Sequence, residues 1–456
     1  MTTVGGLVTT TVLVGLDMGT TRIKAVAVDL SGRIVAETAE PTPWRHRGAE
    51  ADCDPRELAA AARRVVLALP DDARWPADAR AAGIGVTGMA ETGVLLDAQG
   101  DPLAPALAWH DPRGRADVVD EAVGASAFMR HVGMRLNSKP SVAKILWLQQ
   151  EIPQARAAVR HLCVGEWIVH AFGGEQVGEL SLSSRTGLLD VLARRPWDAT
   201  ADLVGPLLPE RLVVAGEACG RADLPEPFRG ATLTVAGMDH QSAAFACSAA
   251  VAGTLFDSLG TAEALLRFVP ASLDHGQLEL LSEDDIAVLW SVVPDHLCVL
   301  GATLAGLSLE RVLALLGVRE YAARAELAQA ALRTTRHDST LGIAQATHLG
   351  VEVAGIDDGA SPALMWRVAV EDLFELSDRV LARMEEIVGP RDRTVIAGGW
   401  INDAMVRDVK ERTLGPLRVS EVAEAGAVGA ALLSGIAAGV IARPAAHEGP
   451  RWPDGG

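Results

Sequence analysis

The chain has 456 residues, of which 49% are hydrophobic and 22% are charged, as is ordinary for a globular protein. A chain of this length usually forms about two or three domains, each large enough to bury its own core. The net charge of −18 argues against nucleic acid or an anionic membrane as the main partner.

Cysteine usage and hydrophobicity predict a cytoplasmic protein. The five cysteines are scattered and form no C-x-x-C pair, so we expect reduced, buried thiols rather than disulfides or a zinc site. No basic region precedes the apolar run Val4–Leu16, which argues against a signal peptide. Ala425–Ala442 is uncharged, but its Ala- and Gly-rich composition favours a helix packed closely on a sheet over a membrane span.

The first half of the chain alternates between predicted strands and helices. Two β-rich runs, Thr11–Leu16 and Ile23–Asp29, flank a turn in which Gly19 and its paired threonines favour a tight hairpin. Leu58–Leu69 is rich in Ala and Arg and predicts a helix, and Ala81–Thr87 predicts the next strand. Strands followed by strand–helix units indicate an α/β fold.

The second half begins with a similar pattern after a Pro-containing stretch at residues 206–227. Thr232–Ala236 predicts a strand, and Gly253–Leu259 ends in a Gly-Thr turn like that of the first hairpin, which hints at a duplicated domain. We therefore predict an N-terminal domain at residues 11–229, a C-terminal domain at residues 230–443 and a disordered Pro- and Gly-rich tail at residues 444–456.

The first hairpin carries groups that suit an anion. The turn Gly19–Thr21 can direct backbone N–H groups and two hydroxyls at a phosphate, and Lys24 adds a positive charge just after it. Asp17 ends the first strand, where its carboxylate could hold Mg²⁺ through water. An ordinary surface hairpin is an equally good explanation of these residues alone.

The same hairpin resembles the first phosphate motif of the sugar kinase, Hsp70 and actin superfamily, and its nearest likeness is to the FGGY carbohydrate kinases. Family members have Asp-x-Gly-Thr-Thr/Ser followed by Lys or Arg, and Asp17, Gly19–Thr21 and Lys24 fill these positions. The run Ser141–Glu151 is similar to the family's first signature. The resemblance implies two ribonuclease-H-like, actin-like ATPase domains of the α/β class, with the active site in the cleft between them.

The resemblance also implies ATP and Mg²⁺ as cofactors, with Asp17 as the metal ligand. It implies that ATP binds to these residues: Gly19, Thr20, Thr21, Lys24, Gly260, Thr261, Gly301, Gly398, Gly399 and Asn402. Trp400 stands where the family has a third glycine, and close helix packing is the alternative explanation for these glycines.

Asp239 is the candidate catalytic residue. It lies between a predicted strand and a predicted helix, where a lone Asp is commonly only a helix cap. The resemblance implies that Asp239 is the general base, which accepts the proton of the substrate hydroxyl as its oxygen attacks the γ-phosphate. Phosphoryl transfer requires positioning, charge neutralisation and such a proton acceptor.

The resemblance implies that the sugar binds to Ala90, Glu91, Trp109, Asp111, Asp239 and His240. The Glu91 carboxylate would accept hydrogen bonds from hydroxyls, and Trp109 would stack on the carbon face of the sugar. For Asp111, a structural salt bridge with Arg113 is the alternative explanation.

We therefore predict an ATP-dependent carbohydrate kinase that acts on a neutral sugar or polyol, most simply a pentulose such as xylulose. An acidic sugar would place its carboxylate near Glu91 or Asp239, although Arg113 could offset this repulsion. Glycerol, erythritol and gluconate are the alternative substrates, and a non-enzymatic or ATPase-type nucleotide-binding protein on the same scaffold is the alternative function. A homodimer is left open.

Overall fold

The structure is a computed structural model that describes residues 10–336, 340–347 and 350–445, so most of the predicted C-terminal tail lies outside the described residues. In chain order, the strands are β1 (Thr11–Met18), β2 (Arg22–Asp29), β3 (Ile34–Pro41), β4 (Arg45–Arg47), β5 (Glu50–Cys53), β6 (Arg80–Gly88), β7 (Gly93–Leu96), β8 (Ala106–Leu107), β9 (Arg160–Cys163), β10 (Gly178–Glu179), β11 (Leu189–Asp190), β12 (Arg195–Pro196), β13 (Leu212–Val213), β14 (Thr232–Met238), β15 (Thr254–Leu259), β16 (Glu263–Pro270), β17 (Ala287–Trp290), β18 (His296–Thr303), β19 (Gly342–Ala346), β20 (Val351–Ala354), β21 (Arg393–Ala397) and β22 (Leu417–Val419).

The helices, in chain order, are α1 (Pro55–Leu67), α2 (Ala116–Val123), α3 (Ala125–Val132), α4 (Ser141–Glu151), α5 (Val164–Ala171), α6 (Leu180–Ser183), α7 (Asp198–Val204), α8 (Asp239–Ala246), α9 (His275–Glu283), α10 (Ala305–Leu315), α11 (Tyr321–Arg333), α12 (Pro362–Val388), α13 (Ala404–Leu414) and α14 (Ala425–Ala437). Short 3₁₀ turns occur at Leu69–Asp71, Pro153–Ala157 and Gly399–Asn402. The mixed α/β class predicted from the sequence is confirmed.

The first large sheet has the strand order β14-β6-β1-β2-β3. Strands β1, β2 and β3 pair antiparallel in sequence, whereas β6 lies parallel to β1, and β14 lies parallel to β6. The predicted hairpin is present, and its turn joins Met18 to Arg22. Both strands are largely buried because β-branched and leucine side chains alternate on two covered faces of the sheet.

The second large sheet repeats this plan. Its order is β17-β18-β16-β15-β21-β22. Strands β15, β16 and β18 pair antiparallel, β21 lies parallel to β15, and β22 lies parallel to β21. The second Gly-Thr turn joins β15 to β16, as the first joins β1 to β2. The recurrence seen in the sequence thus corresponds to two sheets of the same topology, with β17 as an extra edge strand.

The predicted domain boundary at residues 229/230 falls just before β14, a strand that pairs with β6 in the first sheet. The proline-containing segment before residue 230 therefore precedes the last strand of the first sheet rather than the first strand of the second. The division into two domains stays a prediction.

Helix α14 lies across the first sheet. Small residues allow this close approach, because a Cβ on Gly15 would lie 1.7 Å from Ala427 O and one on Gly85 would lie 2.0 Å from Ala430 O. The uncharged run Ala425–Ala442 therefore contains a buried helix, as predicted. Within the described residues, no helix is both long and apolar enough to cross a bilayer, and all five cysteines are buried and unpaired.

His161 on β9 offers a pH test of this core. Burial lowers the pKa of His161 to about 4, and its Nδ1 has no hydrogen-bond partner among the described residues. Between pH 4 and 6.5 the unfolded chain binds a proton that the folded chain does not, so stability must fall as the pH falls through this window. Each pKa unit corresponds to about 1.4 kcal/mol, which puts the full effect at roughly 3 kcal/mol.

We therefore expect His161→Leu to lose less stability than the wild type between pH 6.5 and 4. Urea unfolding followed by circular dichroism at several pH values measures this slope. Identical slopes in the two proteins would show that His161 does not remain neutral in the folded chain.

Candidate active site

The turn of the first hairpin is held by three side chains. Trp44 Nε1 donates to Thr20 O over 2.6 Å, and Thr42 Oγ1 donates to Gly19 O over 2.8 Å. Trp109 Nε1 donates to Thr20 Oγ1 over 2.9 Å. Trp109 therefore ties the predicted sugar-binding segment to the predicted phosphate turn, and its stacking on a sugar stays a prediction.

Two aspartates lie close together beside this turn. Asp17 lies near the end of β1 and Asp239 begins α8. A Cβ on Gly426 would be 2.8 Å from the Asp17 carboxylate oxygen Oδ2 and 3.9 Å from the backbone carbonyl oxygen of Asp239. Burial, and then the charge of Asp239, raise the pKa of Asp17 to about 7. Asp17 Oδ1 is buried and has no hydrogen-bond partner among the described residues, which marks this point as one where a cation would stabilise the ionised carboxylate.

These residues fit Mg²⁺. The described part of the chain contains no group of three or more His, Cys, Asp or Glu side chains that could hold a metal ion. Mg²⁺ does not need one, because it usually keeps several waters and takes one or two carboxylates together with substrate phosphates. Asp17, with its unpartnered oxygen, supplies such a carboxylate.

Lys24 is already paired. Its Nζ lies 2.7 Å from Glu424 Oε2, a residue 400 positions away in the chain that precedes α14 in a left-handed conformation with φ 47°. Thr21 beside it is exposed. The predicted phosphate role of Lys24 would therefore require it to leave or share its contact with Glu424.

Asp239 occupies the first helical position of α8, directly after Met238 at the end of β14. Its Oδ1 accepts a hydrogen bond of 2.7 Å from the amide of His240. Both side chains are only partly buried, so they can be reached by a ligand. The structure thus places Asp239 near Asp17, and the roles predicted for Asp239 and His240 stay predictions.

The second Gly-Thr turn is open to solvent. Gly260 and Thr261 are exposed, and the turn is anchored to the start of α10 by a hydrogen bond of 2.7 Å from Leu307 N to Thr261 O. A Cβ on Gly306 would lie only 1.9 Å from Gly260 O, so glycine is needed there for the helix to approach. The turn is therefore fixed on its protein side and free on the other.

A buried ionic cluster lies beneath this turn. Lys410 Nζ is 2.8 Å from Asp257 Oδ2 and also contacts Glu263 Oε1, and all three side chains are almost fully buried. Glu263 accepts hydrogen bonds from Thr303 Oγ1 over 2.7 Å and from Ser377 Oγ. Burial opposes the charge of Lys410, but the two carboxylates raise its pKa. Asp257 and Glu263 lie on opposite strands of the hairpin, so Lys410 clamps both sides of the turn.

The predicted nucleotide glycines differ in what requires them. Gly301 faces α12, where a Cβ would lie 2.4 Å from Val380 Cγ1, which favours the packing explanation. Gly398 has φ 112°, and a Cβ there would lie 2.1 Å from Leu259 O, so strand contact requires it. Gly399 has no atom within 4 Å of the corresponding position. Of the three, Gly399 leaves the most room for a ligand.

Trp400, the residue in place of the family's third glycine, points into the protein. It is 5% exposed and its ring lies 6.2 Å from that of Trp366. The guanidinium of Arg324 lies 4.0 Å from its ring centroid and pairs with Asp403 at 3.1 Å. Asn402 in the same 3₁₀ turn is exposed. Its predicted contact with the nucleotide stays a prediction.

Glu91 has a partner that the sequence analysis missed. Its Oε1 accepts hydrogen bonds from Arg185 Nε, at 2.8 Å, and from Arg185 Nη2, and both side chains are mostly buried. Ser141 Oγ donates to Glu91 O over 3.2 Å, and Glu91 has the unusual φ of 60°, as strained residues at functional sites often do. Arg185 balances the charge of Glu91, so the predicted repulsion of an acidic sugar by Glu91 is weaker than the sequence analysis assumed.

Asp111 is committed to protein contacts. It is fully buried and its oxygens accept hydrogen bonds from the amides of Ala51, at 2.7 Å, and Arg113, at 2.8 Å. The Arg113 guanidinium lies 2.6 Å from the same carboxylate, and despite burial these hydrogen bonds lower the pKa of Asp111. The contacts favour the structural salt bridge. Ala90 is 2% exposed, so its role in the pocket stays a prediction.

Sequence reasoning missed Arg185, Glu424 and Lys410. One signal was available for Arg185, which stands in the otherwise uncharged run Ser183–Leu189. An arginine in a buried segment needs an acidic partner, and Glu91 was a candidate. Nothing in the sequence pairs Lys24 with Glu424, because their contact depends on how α14 crosses the first sheet.

Comparison with known protein families gives a match. The sequence model of the N-terminal domain of the FGGY family of carbohydrate kinases matches residues 12–245 of this chain. The chain is 27% identical to a glycerol kinase from Acidovorax ebreus, with 95% of this chain and 91% of the relative covered. It is 29% identical to a xylulose kinase from Streptomyces coelicolor, with 94% and 90% covered.

A solved structure shares the fold. The crystal structure of xylulose kinase from Rhodospirillum rubrum superposes with a TM-score of 0.81 at 21% identity, and the match covers 94% of this chain and 92% of that one. At this level of identity the likeness concerns the fold alone. The fold is thus that of the sugar kinases over nearly the whole chain.

Proposed function

Because this chain belongs to the FGGY family of carbohydrate kinases, we propose that it transfers the γ-phosphate of ATP to a hydroxyl group of a sugar or polyol, with Asp239 as general base. It is a phosphotransferase that acts on an alcohol group. The observation that supports the assignment of the base is that Asp239 lies close enough to Asp17 for its charge to raise the pKa of that carboxyl. Asp17 stands two residues before Gly19 of the first phosphate turn.

We propose that the two large sheets are the centres of two ribonuclease-H-like domains, and that the first domain extends past residue 229 to include β14, which pairs with β6. The shared strand order supports this division, as does the Gly-Thr turn at the same place in each sheet. ATP would lie in the cleft between the domains, with its phosphates at the two turns and its adenosine near Gly399 and Asn402, both of which are exposed.

In the proposed reaction, Asp239 accepts the proton of the substrate hydroxyl. The freed oxygen electrons form a bond to the γ-phosphorus, and the bond between that phosphorus and the β,γ-bridging oxygen breaks to leave ADP. Mg²⁺, held through Asp17, would offset the negative charge of the phosphates. Lys24 and the amides of the turn Gly19–Thr21 would orient the phosphates, and His240 would help to place the hydroxyl beside Asp239.

For the substrate we propose a ketose or linear polyol of four to six carbons, most simply a pentulose such as xylulose. Glu91 would accept hydroxyl hydrogen bonds and Trp109 would cover the carbon face of the sugar. The Glu91–Arg185 pair weakens the electrostatic argument against an acidic substrate, which then rests on Asp239 alone. Glycerol, erythritol and gluconate therefore all remain competitors in the same test.

The competing function is nucleotide binding or hydrolysis without sugar phosphorylation. The kinase is favoured because the family match covers residues 12–245 and because Asp239 and both Gly-Thr turns are intact. ADP release measured with and without each of glycerol, erythritol, xylulose, ribulose, fuculose and gluconate decides between them. Release that no sugar stimulates would refute the kinase proposal.

Variants of the Glu91–Arg185 pair can be tested in the same assay of ADP release. Glu91→Ala removes a hydroxyl acceptor and leaves the Arg185 charge unbalanced, so we expect kcat/KM for neutral substrates to fall by about tenfold, as for loss of a hydrogen bond to a charged group. The ratio of gluconate to neutral-substrate kcat/KM should rise. Arg185→Met should shift that ratio in the opposite direction.

Arg45→Met is the matched control, because Arg45 forms a comparable ion pair with Asp52 at 2.8 Å in a more exposed position. We expect it to leave the substrate ranking unchanged. If Glu91→Ala and Arg185→Met shift the ranking in the same direction, their charges do not set specificity.

A further inference from the structure

Strand β14 is irregular just before Asp239. Its register with β6 shifts between Val235 and Met238, and Gly237 takes φ 76°. At this irregularity, side-chain hydroxyls form hydrogen bonds with the backbone. Thr87 Oγ1 donates to Gly237 O over 2.7 Å, and Met238 N donates to Ser181 Oγ over 3.0 Å. Such bulges redirect the residues that follow them and are common beside active sites.

Ser181 is itself oriented by a buried acid. Its hydroxyl donates to Glu179 Oε2 over 2.6 Å, so its lone pairs remain to accept the Met238 amide. Glu179 Oε2 also accepts from the amides of Ser181, at 2.9 Å, and Leu182, at 3.1 Å. The side chains of Glu179, Ser181 and Thr87 are fully buried. The orientation of this hydroxyl is therefore fixed within the protein.

The backbone has little freedom to relax at this point. A Cβ on Gly237 would lie 2.7 Å from Ser181 Oγ and 2.6 Å from Val292 Cγ1, so the chain passes through a narrow gap. The carbonyl and the amide of the single peptide group between Gly237 and Met238 are each held by a hydroxyl, one from β6 and one from α6. The direction in which Asp239 leaves the strand thus depends on two hydrogen bonds.

We propose that Thr87, Ser181 and Glu179 are positioning residues that aim the Asp239 carboxylate at the substrate hydroxyl. This inference rests on the proposed role of Asp239 as general base. Glu179 acts through Ser181 by fixing the direction of its hydroxyl, and Thr87 holds the neighbouring carbonyl. None of the three needs to touch the substrate, and a displacement of about 1 Å at the base can cost 10²-fold in rate.

The test compares two serines of the same segment. Ser181→Ala removes the acceptor of the Met238 amide. Ser184→Ala is the matched control, since Ser184 is equally buried and its hydroxyl accepts a backbone amide, that of Trp290, over 3.1 Å, away from Asp239. We expect Ser181→Ala to lower kcat by about 10- to 100-fold with little change in the KM for ATP or sugar. Ser184→Ala should keep the wild-type kcat, and Ser181→Thr, which retains the hydroxyl, should restore it.

Amide hydrogen exchange of the peptide containing residues 236–242 gives a readout that does not depend on kinase activity. Exchange should be faster in Ser181→Ala than in the wild type and in Ser184→Ala. If Ser181→Ala does not fold, Thr87→Val tests the other hydrogen bond with the same expectations.

The outcomes separate the two proposals. Equal kcat values for Ser181→Ala and Ser184→Ala, or unchanged exchange in Ser181→Ala, would overturn the positioning role. If the wild type phosphorylates no sugar of the panel, the proposed function fails, while the exchange result still decides whether these hydrogen bonds hold the segment before Asp239.

Discussion

Asp239→Asn is expected to lower kcat by about 100-fold or more, the usual size of a general-base contribution, while Mg-ATP still binds. Asparagine has nearly the same shape but cannot accept the proton of the substrate hydroxyl. The loss should appear in kcat rather than in the KM for ATP, and single-turnover measurements with a substrate of the panel would locate it in the chemical step. Near-wild-type turnover would refute the assignment.

A second aspartate distinguishes catalysis from capping. Asp274 caps α9, where its side chain accepts a hydrogen bond of 2.9 Å from the amide of Gln277. Asp274→Asn should cost only the small stability of a helix cap, about 1 kcal/mol or less, and should not change kcat. If both variants lose stability alike and neither loses turnover, Asp239 is a helix-terminal residue like Asp274.

Local sequence signals predicted the local structure well. The first hairpin, the helix Ser141–Glu151 and the small-residue helix after Glu424 occur where hydrophobic period, turn residues and composition placed them. These features depend on neighbours within a few positions. The recurrence of strand, Gly and Thr also predicted the repeated sheet plan, because the turn that bears the motif occupies the same place in both sheets.

The contacts that the sequence did not predict join residues far apart in the chain. Glu91 and Arg185 are 94 positions apart, and Lys24 and Glu424 are 400 apart. No periodicity links such residues, so the sequence offered only the isolated Arg185 in a buried segment as a hint that Glu91 is neutralised. The same holds for β14, whose place in the first sheet is set by pairing with β6, while the nearby prolines indicated only that a turn precedes it.

The position of Trp400 illustrates a different limit. The sequence shows only that a large residue replaces a glycine of the family motif. The structure turns its ring inward against Trp366, under Arg324, so the substitution fills the interior and leaves the exposed Gly399 unobstructed. A change of residue type at a motif position therefore need not block the site, because the side chain can point away from it.

The cluster of Lys410, Asp257 and Glu263 should make one of the largest single contributions to stability. Lys410→Met leaves two carboxylates that are completely buried without their cation, and removal of one partner of a buried ion pair costs about 3–5 kcal/mol. We expect this loss in the free energy of unfolding, measured by urea titration with tryptophan fluorescence and circular dichroism. If fluorescence and circular dichroism report separate unfolding transitions, the loss of free energy of unfolding should appear in the transition of the second sheet.

Arg267→Met is the matched control for this prediction. Arg267 is 1% exposed and lies on β16 of the same sheet, but it donates to the carbonyls of Gly389, at 3.2 Å, and Pro390, at 3.1 Å. Its removal leaves no fully buried carboxylate, so its loss of stability should be smaller. Adding Asp257→Asn and Glu263→Gln to Lys410→Met removes the uncompensated charges and should recover much of the loss. If Lys410→Met costs no more than Arg267→Met, or if the two added substitutions recover nothing, the unpaired carboxylates are not the cause.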